Sequence, residues 1–134
     1  MRTTEESPTG TVTSHKDAAT AFLRWAASGD VDRAFDTYAA PNFRHHNPHF
    51  RGDARSLAAA MAENAVQNPH KQLHVERVLE EGDLVAVHAR VRLNADSPEV
   101  ALVHIFRFEG DRVAELWDIA QPAPAASPNE YGMF

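Results

Sequence analysis

The side chain that points most clearly to chemistry in this 134-residue sequence is a carboxylate on an apolar strand face. Residues 112–121 alternate with the period of a strand. One face of that strand carries a single charged side chain among apolar ones: Ala114, Leu116, Asp118 and Ala120. Desolvation raises the pKa of a carboxyl group, and a raised pKa suits a general base or acid near neutral pH. Asp118 is therefore a candidate catalytic residue, although a structural hydrogen bond or an ion pair with Arg90 or Arg92 stays open.

Two of the eight histidines, His88 and His104, lie on the two predicted strands that come immediately before this one. His104 is the only polar side chain on its strand face, which is otherwise apolar: Val100, Leu102, Phe106 and Phe108. His88 shares its face with Arg90 and Arg92. Histidine titrates near neutral pH, so both are candidates for proton exchange with Asp118. On the sequence alone, the alternative that each is a hydrogen-bonded core histidine stays open.

The register of the hairpin around Gly110 decides which side chain faces Asp118. A two-residue loop would place Val103 opposite Asp118, whereas a three-residue loop would place Leu102 there. The sequence leaves both registers open.

Three further histidines lie together in segment 43–49. A metal site there would need the loop to curl, and the segment has no cysteine or acidic residue, so we expect no metal. His45 and His49 are predicted to be exposed. His46 and Asn47 are predicted to lie at the rim of a pocket, where they could hydrogen-bond a ligand oxygen. The remaining histidines are predicted to lie on the surface: His15, His70 and His74.

The composition excludes several kinds of chemistry. Without cysteine, the chain has no disulfide, no thiol catalysis and no cysteine-based zinc site. It lacks the nucleophile elbow, the P-loop, the dinucleotide-binding fingerprint and the H-E-x-x-H motif. Its formal net charge of -6 argues against nucleic acid and membrane surfaces as partners. Acid–base chemistry or small-ligand binding remains, and the absence of a signal peptide or an apolar span predicts a cytoplasmic protein.

Helical periodicity occupies the first half of the chain and strand periodicity the second. Residues 1–13 are predicted to form a flexible tail, and Ser14 with Asp17 forms a capping box that begins the first helix. Two further helices are expected before Pro41 and over 54–67. Strands are expected over 73–79, 84–93, 100–108 and 112–121, with hairpins at two Glu-Gly-Asp turns. This order predicts an α+β fold with helices packed on one face of a curved antiparallel sheet.

The predicted sheet is apolar on both faces, which indicates a cover on each side. The helices supply one cover, and a second subunit is the candidate for the other. A single domain is predicted over 14–121. The tail 122–134 ends in Tyr131, Met133 and Phe134, so we expect it to pack on the body or on the partner subunit.

The order of these elements resembles the cone-shaped α+β barrel of the nuclear-transport-factor-2-like superfamily. Four stretches resemble its SnoaL-like branch, which contains polyketide cyclases and proteins predicted to catalyse aldol condensation. They are residues 43–48, 81–88, 105–108 with 117–121, and 132–134. The resemblance covers about residues 15–134.

The resemblance implies a pocket between helices and sheet, a homodimer through the outer sheet face, and no cofactor. It also implies catalytic roles for Asp118, His88 and His46, which match the W-D, V-H and H-N-P positions of the family. Side chains expected to contact the substrate are Asn47, His104, Trp25, Tyr38, Trp117 and Phe106. The sequence departs from the family pattern at His104, where aspartate is usual, and at Leu116, where histidine is frequent.

The function expected from these residues is a cofactor-independent acid–base enzyme acting on a small, largely apolar carbonyl substrate. Asp118 would abstract a proton beside the carbonyl, while His88 and His46 would polarise the oxygen or return the proton. The reaction could be an aldol-type cyclisation, an isomerisation or a lyase reaction. Alternatives are a non-catalytic binding module with the same pocket and, third, an epoxide hydrolase that uses Asp118 with Arg90 or Arg92.

Overall fold

The computed structural model describes residues 14–134, so the predicted tail 1–13 lies outside the described residues. The helices are α1 (His15–Ala27), α2 (Val31–Tyr38) and α3 (Ala54–Gln67). The strands are β1 (Ala39–His45), β2 (Gln72–Glu81), β3 (Leu84–Arg92), β4 (Val100–Glu109) and β5 (Arg112–Pro122). The predicted α+β class is confirmed. The helices and strands β2 to β5 begin and end close to the residues that the sequence indicated, whereas β1 was not among the predicted strands.

The first helix begins where the capping residues predict. Ser14 accepts a hydrogen bond from the backbone N–H of Asp17 at 3.1 Å, which satisfies one of the free donors of the first turn. The helix ends at Ala27, and Gly29 follows with φ of 95°, a conformation that favours glycine. These two signals fix the length of α1 and therefore which of its side chains reach the sheet.

The strands form a curved sheet in the order β1-β5-β4-β3-β2. Four of them pair antiparallel as predicted, whereas β1 joins the edge of β5 in parallel. The three helices cover one face, called the inner face here. Its core is built from large side chains of helices and strands that are almost fully buried: Phe22, Leu57, Val85, Val87, Phe106 and Leu116.

The register of the β4–β5 hairpin differs from both predicted registers. Its turn is the two-residue Gly110-Asp111, but Ala114 is an extra residue that forms a β-bulge. Phe108 pairs with Val113, and the preceding residue of β4 pairs with Glu115. The shift places His104, rather than Val103 or Leu102, directly opposite Asp118.

The C-terminal segment lies on the opposite, outer face of the sheet. The ring of Phe134 stacks on His88, with centroids 5.9 Å apart, and the guanidinium of Arg90 lies 4.1 Å from the Phe134 centroid. These contacts join the last residue of the chain to the middle of β3. Among the described helices, none is long and apolar enough to cross a membrane.

Replacing Phe134 with alanine should lower the free energy of unfolding by about 1 kcal/mol, because it removes a stacking contact and a cation–π contact. Urea denaturation measures the change. Tyr131→Ala is the matched control, since Tyr131 is 85% exposed in the same segment. Equal effects of the two substitutions would contradict a specific contact of Phe134 with the sheet.

Candidate functional site

A cavity of about 500 Å³ lies between the helices and the inner face of the sheet. Its walls are mainly apolar and come from α1, α3 and the strands: Leu23, Leu57, Met61, Leu73, Val91 and Leu102. A small number of polar side chains interrupt this lining, Asp118 and His104 among them. An apolar cavity with a few converging polar groups is the usual form of a small-molecule site.

One oxygen of Asp118 is held by the segment that follows β1. The side-chain N–H of Asn47 donates to Asp118 Oδ2 at 2.8 Å. Asn47 Oδ1 accepts from the backbone N–H of His49 at 3.0 Å, which fixes the orientation of the amide. Asn47 is therefore a positioning partner of the carboxylate, in the predicted pocket.

His45 stabilises the segment that carries Asn47. It is only 5% exposed, so the prediction that it lies on the surface is wrong. Its Nδ1 accepts from the backbone N–H of Asn47 at 3.1 Å, and its Nε2 lies 2.5 Å from the carbonyl oxygen of Arg51. Both ring nitrogens are satisfied when the proton is on Nε2. The buried imidazole thus braces the loop that presents Asn47.

His104 faces Asp118 across the β4–β5 ladder. Its Nε2 lies 3.6 Å from Asp118 Oδ1, which is too long for a hydrogen bond and leaves that oxygen accessible to a third atom. Burial lowers the pKa of His104, and the nearby charge of Asp118 offsets this only in part. The imidazole is therefore neutral at neutral pH.

The tautomer of His104 follows from its surroundings. Its Nδ1 is buried and has no hydrogen-bond partner among the described residues. A buried N–H without a partner is costly, so the single ring proton belongs on Nε2, the nitrogen directed at the Asp118 side of the cavity. The site thus combines one carboxylate oxygen and one neutral N–H donor about 3.6 Å apart.

The other two histidines with predicted catalytic roles do not converge on this cavity. His88 lies on the outer face, where it pairs with Val103 and contacts Arg77 and Phe134. His46 also lies outside, stacked on Trp117 with centroids 5.2 Å apart. Of the three residues expected in one pocket, Asp118 lines the cavity, and His46 and His88 do not. Strand alternation explains His88, which has the opposite parity to the inner-face residues of β3.

The aromatic residues predicted at the substrate also lie away from the cavity surface. Trp25 and Tyr38 contact each other, with centroids 5.4 Å apart, between α1 and α2. Phe106 is fully buried in the core and lies beneath His104, at 6.2 Å between ring centroids. Trp117 is on the outer face with His46. Of the six predicted contact residues, Asn47 and His104 are the two that line the cavity.

Glu115 is the centre of a charge cluster on the outer face of the sheet. It precedes Asp118 by three residues on β5, but its side chain lies on the opposite face. His46 Nε2 lies 2.6 Å from Glu115 Oε2, and Arg107 and Arg44 donate to the same carboxylate at 3.0–3.1 Å. The hydrogen bond from His46, together with those from Arg107 and Arg44, lowers the pKa of Glu115 to about 2. This cluster ties β1 to β5 and holds the segment that carries Asn47.

Sequence reasoning missed the polar groups at the α3 end of the cavity. Asn64 lines it from α3, and Lys71 lines it from the turn before β2. The helical spacing of Leu57, Met61 and Asn64 was a usable signal, because it places all three near one helix face. Lys71 could not be found this way, since its position depends on the tertiary turn after α3. Within residues 14–134 no group of His, Asp and Glu side chains is arranged to hold a metal ion.

Comparisons with known proteins identify the fold. A family model described as a SnoaL-like domain matches residues 19–116. No match is found among the curated proteins. Among solved structures, an NTF2-like protein of unknown function from Cytophaga hutchinsonii is similar, at 16% identity, with a TM-score of 0.68 and coverage of 84% of this chain and 95% of that one.

Two further similar structures are described by activity. A protein from Acidithiobacillus ferrooxidans, proposed to be a polyketide cyclase, has 18% identity and a TM-score of 0.67 over 83% of this chain and 91% of its own. AclR from Streptomyces galilaeus, proposed to be a hydroxylase, has 19% identity and a TM-score of 0.68 over 80% of this chain and 78% of its own. At such identities these similarities show the shared fold, which hosts more than one activity.

The Glu115 cluster predicts a specific acid dependence of stability. Its folded-state pKa of about 2 lies below the ordinary 4.5, so its stabilisation is full above pH 4.5 and is lost as the pH falls towards 2. Glu115→Gln should flatten the dependence of the unfolding midpoint on pH in this window. Glu130→Gln, at an exposed position, is the control. An unchanged slope for Glu115→Gln would contradict the assignment.

Proposed function

The chain belongs to the SnoaL-like domain family, and on this basis we propose that it is an acid–base enzyme acting on a small, largely apolar carbonyl substrate. The proposal needs no cofactor. The observation that carries it is the pairing of Asp118 Oδ1 with the neutral N–H of His104, 3.6 Å apart at the surface of an apolar cavity. This pairing supplies an acceptor for a proton and a donor for an oxygen at one place.

Asp118 is the proposed base. Its Oδ2 is occupied by the hydrogen bond from Asn47, so Oδ1 is the oxygen that can receive a proton. In the proposed step Oδ1 takes a proton from the carbon beside the carbonyl, the C–H bond breaks, and its electron pair delocalises onto the carbonyl oxygen. Asn47 keeps the carboxylate oriented while this occurs.

His104 is the proposed donor to the developing enolate oxygen. A neutral N–H donor fixed before the reaction stabilises charge as it forms, and an apolar cavity strengthens that interaction. This role replaces the one that the sequence suggested for His88 and His46. An aspartate base beside neutral hydrogen-bond donors is also the arrangement in the enzyme ketosteroid isomerase.

The fate of the enolate sets the reaction class. When the enolate carbon attacks a second carbonyl, the C=O π bond of that carbonyl breaks, and its oxygen takes the proton held on Asp118, which completes an aldol-type ring closure. Return of the proton at another carbon instead gives an isomerisation. The similarity to a protein proposed to be a polyketide cyclase favours ring closure. The third hypothesis, epoxide hydrolysis, has less support, because both candidate arginines, Arg90 and Arg92, pair with Glu99 on the outer face.

Enolisation can be tested without knowing the natural substrate. With 2-tetralone as an apolar carbonyl probe in deuterated water, the wild-type protein should accelerate deuteration beside the carbonyl, measured by proton NMR. Asp118→Asn should slow the catalysed exchange by at least about 100-fold, the contribution of a positioned base. Asp96→Asn, at an exposed loop position, should leave the rate unchanged.

Two outcomes would contradict the proposal. If Asp118→Asn exchanges deuterium as fast as wild type, Asp118 is not the base. If the wild-type protein binds 2-tetralone without accelerating exchange, the cavity belongs to a binding module rather than an enzyme.

We also propose that the chain forms a homodimer through its outer sheet face. Ile119 is 56% exposed there, beside the partly exposed Trp117, on a face that the helices leave uncovered. An exposed apolar patch on a sheet is typical of a subunit interface.

Ile119→Asp should convert the dimer to a monomer, measured by light scattering during size-exclusion chromatography, because it buries a charge in the interface. Val66→Asp is the matched control, since Val66 is 81% exposed on the helical side. A wild-type protein that is monomeric at micromolar concentration would overturn the proposal.

A further inference from the structure

Lys71 brings an ammonium group into the cavity wall. The sequence contains two lysines, and Lys16 is exposed on α1. Lys71 is partly buried and lines the cavity together with Asn64 of α3. The turn that follows α3 holds it there, since the N–H of Lys71 donates to the carbonyl oxygen of Asn68 at 3.1 Å.

The ammonium of Lys71 is not neutralised by a carboxylate among the described residues. Its Nζ donates to Asn64 Oδ1 at 2.6 Å, which is a neutral amide oxygen. An ammonium has three donors, so two remain for another acceptor. Glu63 also lines the cavity, but its carboxylate accepts from Gln67 at 3.3 Å and makes no ion pair with Lys71. Burial lowers the pKa of Lys71, which is the sign of a charge held away from water without a counter-charge.

Lys71 and Asp118 lie at opposite ends of the cavity. Asp118 is on β5, whereas Lys71 immediately precedes β2, three strands away in the order β5-β4-β3-β2. The spacing between strands alone contributes roughly 14 Å to this separation. Lys71 is in addition seven residues before Val78, which is the β2 residue in the same cross-strand row as Asp118. The wall between the two is apolar, with Leu102, Val91 and Leu73 on successive strands.

We propose that Lys71 is a specificity-determining residue that binds an anionic oxygen group of the substrate at the end remote from Asp118. The inference rests on the proposed function, because it assumes that this cavity holds the substrate. It assigns the ligand to a chemical class: an apolar body with an enolisable carbonyl at one end and a carboxylate, sulfonate or ionised phenol at the other. Asn64 positions the ammonium and contributes no charge of its own.

Two fluorescent probes with the same apolar skeleton test this inference. 8-Anilinonaphthalene-1-sulfonate carries an anionic group, and N-phenyl-1-naphthylamine is its neutral counterpart. Lys71→Met keeps the length of the side chain and removes the charge. It should weaken binding of the sulfonate about tenfold, as expected for one hydrogen bond to a charged group, and leave binding of the neutral probe unchanged.

Two matched variants complete the design. Lys71→Arg should restore binding of the sulfonate, because it restores the charge. Lys16→Met removes the same charge from an exposed position and should change neither affinity. The neutral probe also reports whether the cavity of each variant is intact.

An equal loss of both probes in Lys71→Met, or no loss of the sulfonate, would overturn the proposal. It is also overturned if Lys16→Met weakens the sulfonate as much as Lys71→Met does. The assay is independent of catalysis: Asp118→Asn can abolish deuterium exchange while the preference of Lys71 for the sulfonate persists. Failure of one proposal is therefore distinguishable from failure of the other.

Discussion

The structure depends on one arrangement that is costly to form: a carboxylate and a neutral imidazole facing each other on adjacent strands of an apolar sheet face. Asp118 and His104 lie 3.6 Å apart, with 16% and 7% of their side chains exposed. Polar groups removed from water need partners, and among the described residues Asn47 supplies one to Asp118, while none reaches His104 Nδ1. Incomplete satisfaction of buried polar groups in an otherwise well-packed domain is typical of a functional site rather than a structural one.

The two faces of β5 carry different kinds of polar group: the cavity carboxylate on one face and a stabilising ion cluster on the other. Asp118 points into the cavity, while Glu115 belongs to the outer face, where three cationic or hydrogen-bonding side chains surround it. The outer cluster joins β1 to β5, and the loop that leaves β1 carries Asn47 to the carboxylate. The ionic network thus positions Asn47 and Asp118 from the outer face without entering the cavity, whose lining stays mainly apolar.

Much of the fold could be predicted from the sequence, because helix caps, Gly-Asp turns and the change from helical to strand periodicity are local signals. The partner of Asp118 could not, since Ala114 is a small apolar residue in a strand and nothing in its type marks a bulge. His88 is a different case. It shares a strand face with Arg90 and Arg92, and this alternation already indicated the face opposite the apolar side chains of β3. The catalytic role predicted for His88 came from the family resemblance instead. His45, the last residue of β1, and Lys71, in the turn before β2, owe their burial to long-range packing, which no local pattern encodes.

The central claim is that Asp118 works beside a neutral His104, and the protonation state of that imidazole tests it most directly. Nitrogen–proton correlation NMR across about pH 5–8, the range in which histidine titrates, follows it. We predict that His104 stays neutral, protonated at Nε2, with a pKa below 6.5, and that Asp118→Asn lowers this pKa further because a favourable charge is lost. A pKa above 6.5, or one that Asp118→Asn leaves unchanged, would mean that the pair is a structural ion pair or is not coupled, and would contradict the account.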